Sequence, residues 1–289
     1  RIVSTTSSQP LRRRVRAWRH RIRNRRQIDT ALASGAEIVL LHQMGKVGSS
    51  SVRDTLRSMD GVCVFQTHWC NERNLAHRAG IVHEDRRISN RYGDRDHFGA
   101  MLHHRVIEPR GASKVITMVR DPIARNVSSY FQHLDEIWGV RKAHERIELD
   151  ELLRGFHEVF EHDEPLTWFD TEIRDLFDVD VFASAFDRER RWSVLESDPW
   201  SVLVMRADLP DDGKQQAMQE LLGCPVPALS RSNVGADKGY ASVYTAFKDR
   251  LELPSAYLDR FYDAPVTRHF FTDEEIDRLR RRWVADNTN

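Results

Sequence analysis

The sequence predicts an α/β fold, with a central parallel β-sheet flanked by helices. Three observations carry this expectation. Apolar runs of strand length recur at Glu37–Gln43, Gly61–Thr67, Lys114–Val119 and Trp200–Leu209. Stretches with apolar residues at helical spacing alternate with them, which argues for right-handed crossovers in one sheet. Glu37–Leu56, EIVLLHQMGKVGSSSVRDTL, joins a strand, a glycine-bearing loop and a helix without interruption.

Residues 1–34 form a basic extension. Leu11 to Arg26 holds nine arginines, and Leu11, Val15, Trp18 and Ile22 recur at helical spacing. A basic amphipathic helix can lie on an anionic membrane surface or pack its stripe on the protein body, and both readings stay open. Residues 35–289 read as a single α/β domain. The 289 residues are 40% hydrophobic and 30% charged, with zero formal net charge. A globular protein is therefore expected, with no global field selecting nucleic acid or membrane. Cys63, Cys70 and Cys224 show neither metal spacing nor a disulfide framework. No apolar run approaches the roughly 20 residues of a membrane span and no secretory signal is recognisable, so a cytoplasmic protein is expected.

The loop after the first strand holds Gly45, Lys46, Val47, Gly48, Ser49, Ser50 and Ser51. Its backbone N–H groups and the following helix N-terminus form a ready anion site. Lys46 adds a full charge, and the serines add hydroxyls and helix caps. A serine-rich turn that merely caps a helix is the alternative. In nucleotide triphosphatase loops the lysine follows the second glycine and precedes Ser or Thr; here Lys46 precedes Gly48. After the second run, His68 sits just past the strand end, where ligands bind in open parallel sheets. After the third run comes Arg120-Asp121-Pro122, with Asp121 suited to an N-cap and Pro122 to a first turn. Ser128 lies two turns into that helix, so Arg120 and Ser128 can grip one phosphate. A salt-bridged Arg-Asp pair is the plainer reading. Asn126-Val-Ser128 is a formal glycosylation sequon inside this motif.

Asn71–Arg110 reads as helices and a loop, with His103 and His104 pointing to different faces and no metal cluster expected. An insert around 136–176 carries Trp138, Trp168 and Phe169, which fit an acceptor platform or the core. Val179–Ala183 is a strand candidate. Asp212–Leu222 reads as a helix stopped by Gly223 and Pro225. Ser230–Tyr244 has turn composition and carries Lys238, Gly239 and Tyr240. Two helical patterns follow, and Thr272 with Glu275 forms a capping box.

Taken in order, these motifs resemble the PAPS-dependent sulfotransferases (PAPS is 3′-phosphoadenosine 5′-phosphosulfate), a P-loop NTPase-like fold. The lysine-glycine-serine loop resembles their phosphosulfate loop, and RDP with Ser128 their 3′-phosphate site. LVMRADL, LLGCPVP, ADKGY and HFFTDEEIDRLRRRW resemble their later elements. The chain is closest in this respect to carbohydrate sulfotransferases and to bacterial proteins labelled as capsular polysaccharide synthesis enzymes. Gly45 stands where many members have proline, and the Lys238-Gly239 loop lacks the full glycine-rich pattern of the small-molecule branch. The resemblance implies sulfuryl transfer from PAPS, leaving PAP, to a hydroxyl or amine of a sugar or glycan, without metal or nucleic acid. It implies Lys46 as the catalytic cation and loop residues Lys46–Ser51, Arg120, Ser128 and Lys238–Tyr240 as donor ligands. His68 is the expected general base, with Glu108 or Glu136 as substitutes. An ATP-dependent kinase, with Asp208 as metal ligand, and a catalytically silent nucleotide- or glycan-binding module are the rival readings.

Overall fold

The computed structural model describes residues 11–77, 91–229 and 239–284. Five strands form one sheet: β1 (Glu37–His42), β2 (Val62–Thr67), β3 (Lys114–Val119), β4 (Trp192–Ser197) and β5 (Trp200–Arg206). Their order is β2-β1-β3-β5-β4. The first four in that order are parallel, whereas β4 pairs antiparallel with β5, Trp192 opposite Met205. The sheet is therefore mixed rather than all-parallel. β4 was not expected, and the expected strand at Val179–Ala183 is instead an irregular turn that buries Val179 and Val181.

β1, β3 and β5 read as apolar runs because both of their faces are covered; every residue of β5 is buried. The parallel strands all present their carboxyl ends at one edge. β1 is flanked by β2 on one side and β3 on the other, so the crevice between β1 and β3 is a topological switch point, the usual ligand position of such sheets.

Helix α1 (Leu11–Ser34) precedes β1, and Gly35, at φ +70°, ends it in the left-handed conformation. Helix α2 (Ser50–Arg57) follows the Lys46 loop and buries Val52, Thr55 and Leu56. A helical stretch at 72–77 leaves the end of β2. Helix α3 (Arg91–Leu102) runs into a π-helical turn, His103–Ile107, that leads back to β3. Helix α4 (Pro122–Gln132) follows β3, capped by Asp121, whose carboxylate accepts from Ile123 N, with Pro122 in the first turn. The insert folds largely as helices, including α5 (Leu149–Glu158) and α6 (Glu164–Phe169). Trp168 and Phe169 belong to the core, and Trp138 donates to the Tyr130 hydroxyl at 3.2 Å. Helix α7 (Asp211–Leu222) ends at left-handed Gly223. Helices α8 (Ala241–Arg250), α9 (Ser255–Tyr262), α10 (Pro265–Phe270) and α11 (Asp273–Arg281) complete the chain. The capping box at Thr272 is present: Thr272 Oγ1 accepts from Glu275 N, and Thr272 N donates to the Glu275 carboxylate. The same carboxylate receives both terminal nitrogens of buried Arg206, which locks the end of β5 to α11.

Candidate functional site

The loop between β1 and α2 is anchored by its apolar residues. Met44 and Val47 are buried. Lys46 has φ +71° and Gly48 φ +80°. Left-handed residues alternating with ordinary ones turn successive N–H groups toward one side, the arrangement of an anion nest. For lysine this conformation costs about 1–2 kcal/mol, so the surrounding contacts must hold it. Two arginines supply them. Arg120 donates to the Lys46 carbonyl at 2.8 Å, and Arg125 to the Gly45 carbonyl at 3.1 Å. Among the described residues, no hydrogen bond takes the N–H groups of Val47, Gly48 or Ser49.

Ser49 does not cap α2 as expected. Ser49 occupies the N-cap position without a side-chain cap; its hydroxyl instead accepts from Gln43 Nε2 at 2.8 Å and Gln66 Nε2 at 3.0 Å. Two strand-end amides outcompete the helix for that oxygen. The N-cap position of α2 therefore makes no side-chain cap. The Lys46 ammonium lies 3.4 Å from Gln132 Oε1 at the end of α4.

His68 follows β2, which pairs with β1 as the sequence reading required. Its Nδ1 lies 2.7 Å from the Gln43 carbonyl. A carbonyl only accepts, so Nδ1 carries the hydrogen and the neutral ring has its basic lone pair on Nε2. The His68 carbonyl accepts from Trp168 Nε1 at 3.2 Å. His68 is therefore held at its ring by the residue after β1 and at its backbone by the insert.

Beneath this corner lies a buried charge pair that the sequence reading missed. His42 and Glu172 are fully buried, with Nε2 3.1 Å from Oε2 and off the hydrogen-bond direction. Burial pulls the His42 imidazole down, but the Cys70 sulfur and the Glu172 carboxylate outweigh it and hold the ring at about 10. Glu172 also accepts from Cys70 N at 2.9 Å, Asn71 N at 3.1 Å and Asn74 Nδ2 at 2.6 Å. Trp168 stacks obliquely on His42, with ring centroids 5.1 Å apart. The available signal was a histidine closing an otherwise apolar strand. Arg125 was missed too. It is 2% exposed, pairs with Glu164 and donates to Asn126 Oδ1, in a helix whose first six residues are all buried.

The other expected residues are placed as follows. Ser128 is half-buried on α4, and no hydrogen bond links it to Arg120 among the described residues. Lys238 lies outside the described residues. Gly239 and Tyr240 lie within them, and Tyr240 packs on Phe131 of α4 at 5.7 Å, which brings the end of that loop onto the helix bearing Ser128. Glu136 sits one turn beyond Gln132. Glu108 lies on the way back to the amino end of β3, away from the carboxyl edge, with its carboxylate 3.3 Å from His104. Asp208 gives both oxygens to Arg206, at 2.9 and 2.6 Å. Asn126 is fully buried and donates to the His162 carbonyl, so its amide is inaccessible to glycosylation.

His103 and His104 do not diverge as expected. They open the π-turn with their rings edge to face, centroids 5.2 Å apart. With Glu72 they form a group whose ligand atoms lie within 4.8 Å of one another. His104 lies between Glu72 at 3.5 Å and Glu108 at 3.3 Å, so ion pairing accounts for this surface cluster. Cys63, Cys70 and Cys224 are free thiols. Among the described residues no helix is long and apolar enough to cross a membrane.

No curated protein and no solved structure matches the chain. A family described as "Putative capsular polysaccharide synthesis protein" matches residues 144–272, a little under half of the chain, covering most of the insert, β4, β5 and the helices through α10. The matched segment is thus similar to proteins described in terms of capsular polysaccharide synthesis, and it begins beyond the Lys46 loop, His68 and Arg120.

Proposed function

We propose that the chain is a PAPS-dependent sulfotransferase acting on a hydroxyl or amine of a sugar or glycan. One observation carries the reading: at the switch point of the sheet, a left-handed Lys46-Val47-Gly48 turn adjoins a helix start with no side-chain cap, and Arg120 holds the turn in place. That donor set suits a phosphate or sulfate ester better than a neutral ligand.

PAPS would supply a sulfuryl group on a phosphate leaving group. Lys46 and the N–H groups of Val47 to Ser51 would grip the 5′-phosphosulfate. Arg120, Ser128 and the Lys238–Tyr240 loop would take the 3′-phosphate, which ATP lacks. The new S–O bond to the acceptor oxygen forms as the S–O bond to phosphate breaks, and Lys46 meets the negative charge left on phosphate. The acceptor proton passes to Nε2 of His68, while Gln43 keeps the opposite nitrogen protonated. Alignment and charge stabilisation are what such transfers demand. The kinase reading needs a carboxylate for magnesium at a strand end; Asp208, the candidate there, is committed to Arg206. The polysaccharide description of the family matching residues 144–272 supports a carbohydrate acceptor.

Equilibrium binding of adenosine 3′,5′-bisphosphate, compared with ATP and magnesium, tests the reading. Binding of the bisphosphate without metal, followed by sulfuryl transfer to a glycan pool, is expected. Preference for ATP with magnesium would replace it with the kinase reading. Binding without transfer would leave a silent module.

A further inference from the structure

We infer that the first half of α1 is a docking surface for an anionic lipid bilayer, a property independent of the proposed chemistry. Three observations point to it.

The first is where the helix packs. Among its described side chains, Ile28 and Ala31 enter the core, and half-buried His20 and Asn24 continue the same face. At about 100° per residue, Val15, Trp18 and Ile22 cluster about 150° away from that face. Ile22 is half-buried, and among the described residues the stripe towards the helix start is left off the body. Trp18 is 62% exposed and Val15 40%.

The second is how charge surrounds the stripe. By the same geometry Arg19, Arg23 and Arg26 lie on one flank, and Arg21 and Arg25 on the other. All five are exposed. Arg25 pairs with Asp29 within the helix, and among the described residues no ion pair ties Arg19, Arg21, Arg23 or Arg26 to the body. An apolar strip with a large ring system between two rows of arginine is the cross-section of a helix lying in a bilayer interface, with guanidinium groups among the headgroup phosphates.

The third is charge segregation. The chain balances 44 basic against 44 acidic residues, and residues 11–26 hold nine arginines and no acid. The remainder therefore carries a net −9, so an anionic surface attracts this helix and repels the rest, which gives docking a direction. Nucleic acid would reward the arginines but leave the exposed stripe without a partner.

The test is co-sedimentation of the full chain with phosphatidylcholine vesicles and with vesicles containing about a third phosphatidylglycerol. Binding to the anionic vesicles alone, weakened by salt, is expected. Arg19→Gln and Arg23→Gln should each weaken it about five-fold. Trp18→Glu should abolish it while leaving the thermal midpoint unchanged, since the side chain is exposed. No sedimentation with anionic vesicles would overturn the proposal, as would binding that survives Trp18→Glu. Tighter binding to duplex DNA than to vesicles, indifferent to Trp18, would assign the helix to nucleic acid. A dimer dissolved by Trp18→Glu would assign the stripe to self-association.

Discussion

Replacing Glu172 by Gln tests whether the buried pair underpins the candidate site. The glutamine keeps an acceptor but removes the charge that faces His42, and its NH2 group is turned against a cluster of N–H donors. Glu172 accepts from Cys70 N, Asn71 N and Asn74 Nδ2 and lies 3.1 Å from His42 Nε2. Removing one partner of a buried pair costs about 3–5 kcal/mol, against a typical total of about 5–15 kcal/mol. The pH dependence gives a second, sharper signature. His42 is raised to about 10 in the folded protein, above its unfolded value of about 6.5. Its contribution is thus fully present below the unfolded value and is lost as pH rises toward the folded one. In that window the native state holds one more proton, and stability falls by about 1.4 kcal/mol per pH unit. Without the carboxylate one of the two groups that raise His42 is gone while Cys70 remains, so the His42 part of that slope should shrink. Urea unfolding followed by tryptophan fluorescence at pH 7 and pH 9 measures both effects. A Glu172→Gln protein within about 0.5 kcal/mol of wild type at pH 7, with the same loss between the two pH values, would refute the pair as a stabilising charge pair.

Lys46→Ala should lower transfer roughly 10²–10³-fold and weaken donor binding less, read from single-turnover rates beside equilibrium binding. Ser128→Ala should weaken adenosine 3′,5′-bisphosphate but spare the 5′-monophosphate, whereas Arg120→Ala, which also releases the Lys46 carbonyl, should weaken both and the bisphosphate more, by about a further 1.5–3 kcal/mol. Calorimetry with both nucleotides decides, and equal losses would assign the residues to the fold. Arg125→Ala releases the Gly45 carbonyl and leaves Glu164 unpaired, so it should lower both the unfolding midpoint and donor affinity, whereas Arg125→Lys should restore part of the first and little of the second. His68→Ala should keep donor binding while transfer falls roughly 10²–10⁴-fold, and His68→Asn should fall with it. A nearly unimpaired asparagine variant would move the base to Glu136.

Much of the fold was legible because its signals are local. The runs ending at His42, Thr67, Val119 and Arg206 are apolar over strand length, and Asp121-Pro122, Gly223 and Thr272–Glu275 punctuate helices by chemistry that needs no tertiary partner. β4 was missed because it is an edge strand, half-exposed and preceded by Asp187-Arg188-Glu189-Arg190-Arg191, so pairing with β5 defines it rather than its own pattern. Val179–Ala183 misled for the opposite reason: its valines are buried one at a time inside a turn. In the site, the position and spacing of Lys46, His68 and Arg120 were readable. The role of Ser49 was not, because Gln43 and Gln66 compete for its hydroxyl only once β1 and β2 are paired. The His42–Glu172 pair joins residues 130 positions apart and carries no local mark. Nothing in the sequence marks Arg125, whose burial depends on Gly45 and Glu164 closing on it.

The segment that resembles capsular polysaccharide synthesis proteins and the segment that bears the anion loop are separate in sequence, yet they meet repeatedly in space. From residues 144–272, Glu164 pairs with Arg125 behind the loop, Trp168 holds the His68 carbonyl, Glu172 holds His42 and the backbone after β2, and Tyr240 packs on α4. Each contact bears on a residue within a few positions of Lys46, His68 or Ser128. Four independent contacts on one corner are more than a covering insert needs, since burial of Trp168 and Phe169 alone would seat it. They make the geometry of the Lys46 loop depend on the matched segment. A substitution in that segment should therefore disturb donor binding as readily as acceptor choice. The two halves work as one site if the loop supplies the charge and the segment sets where the acceptor oxygen can stand.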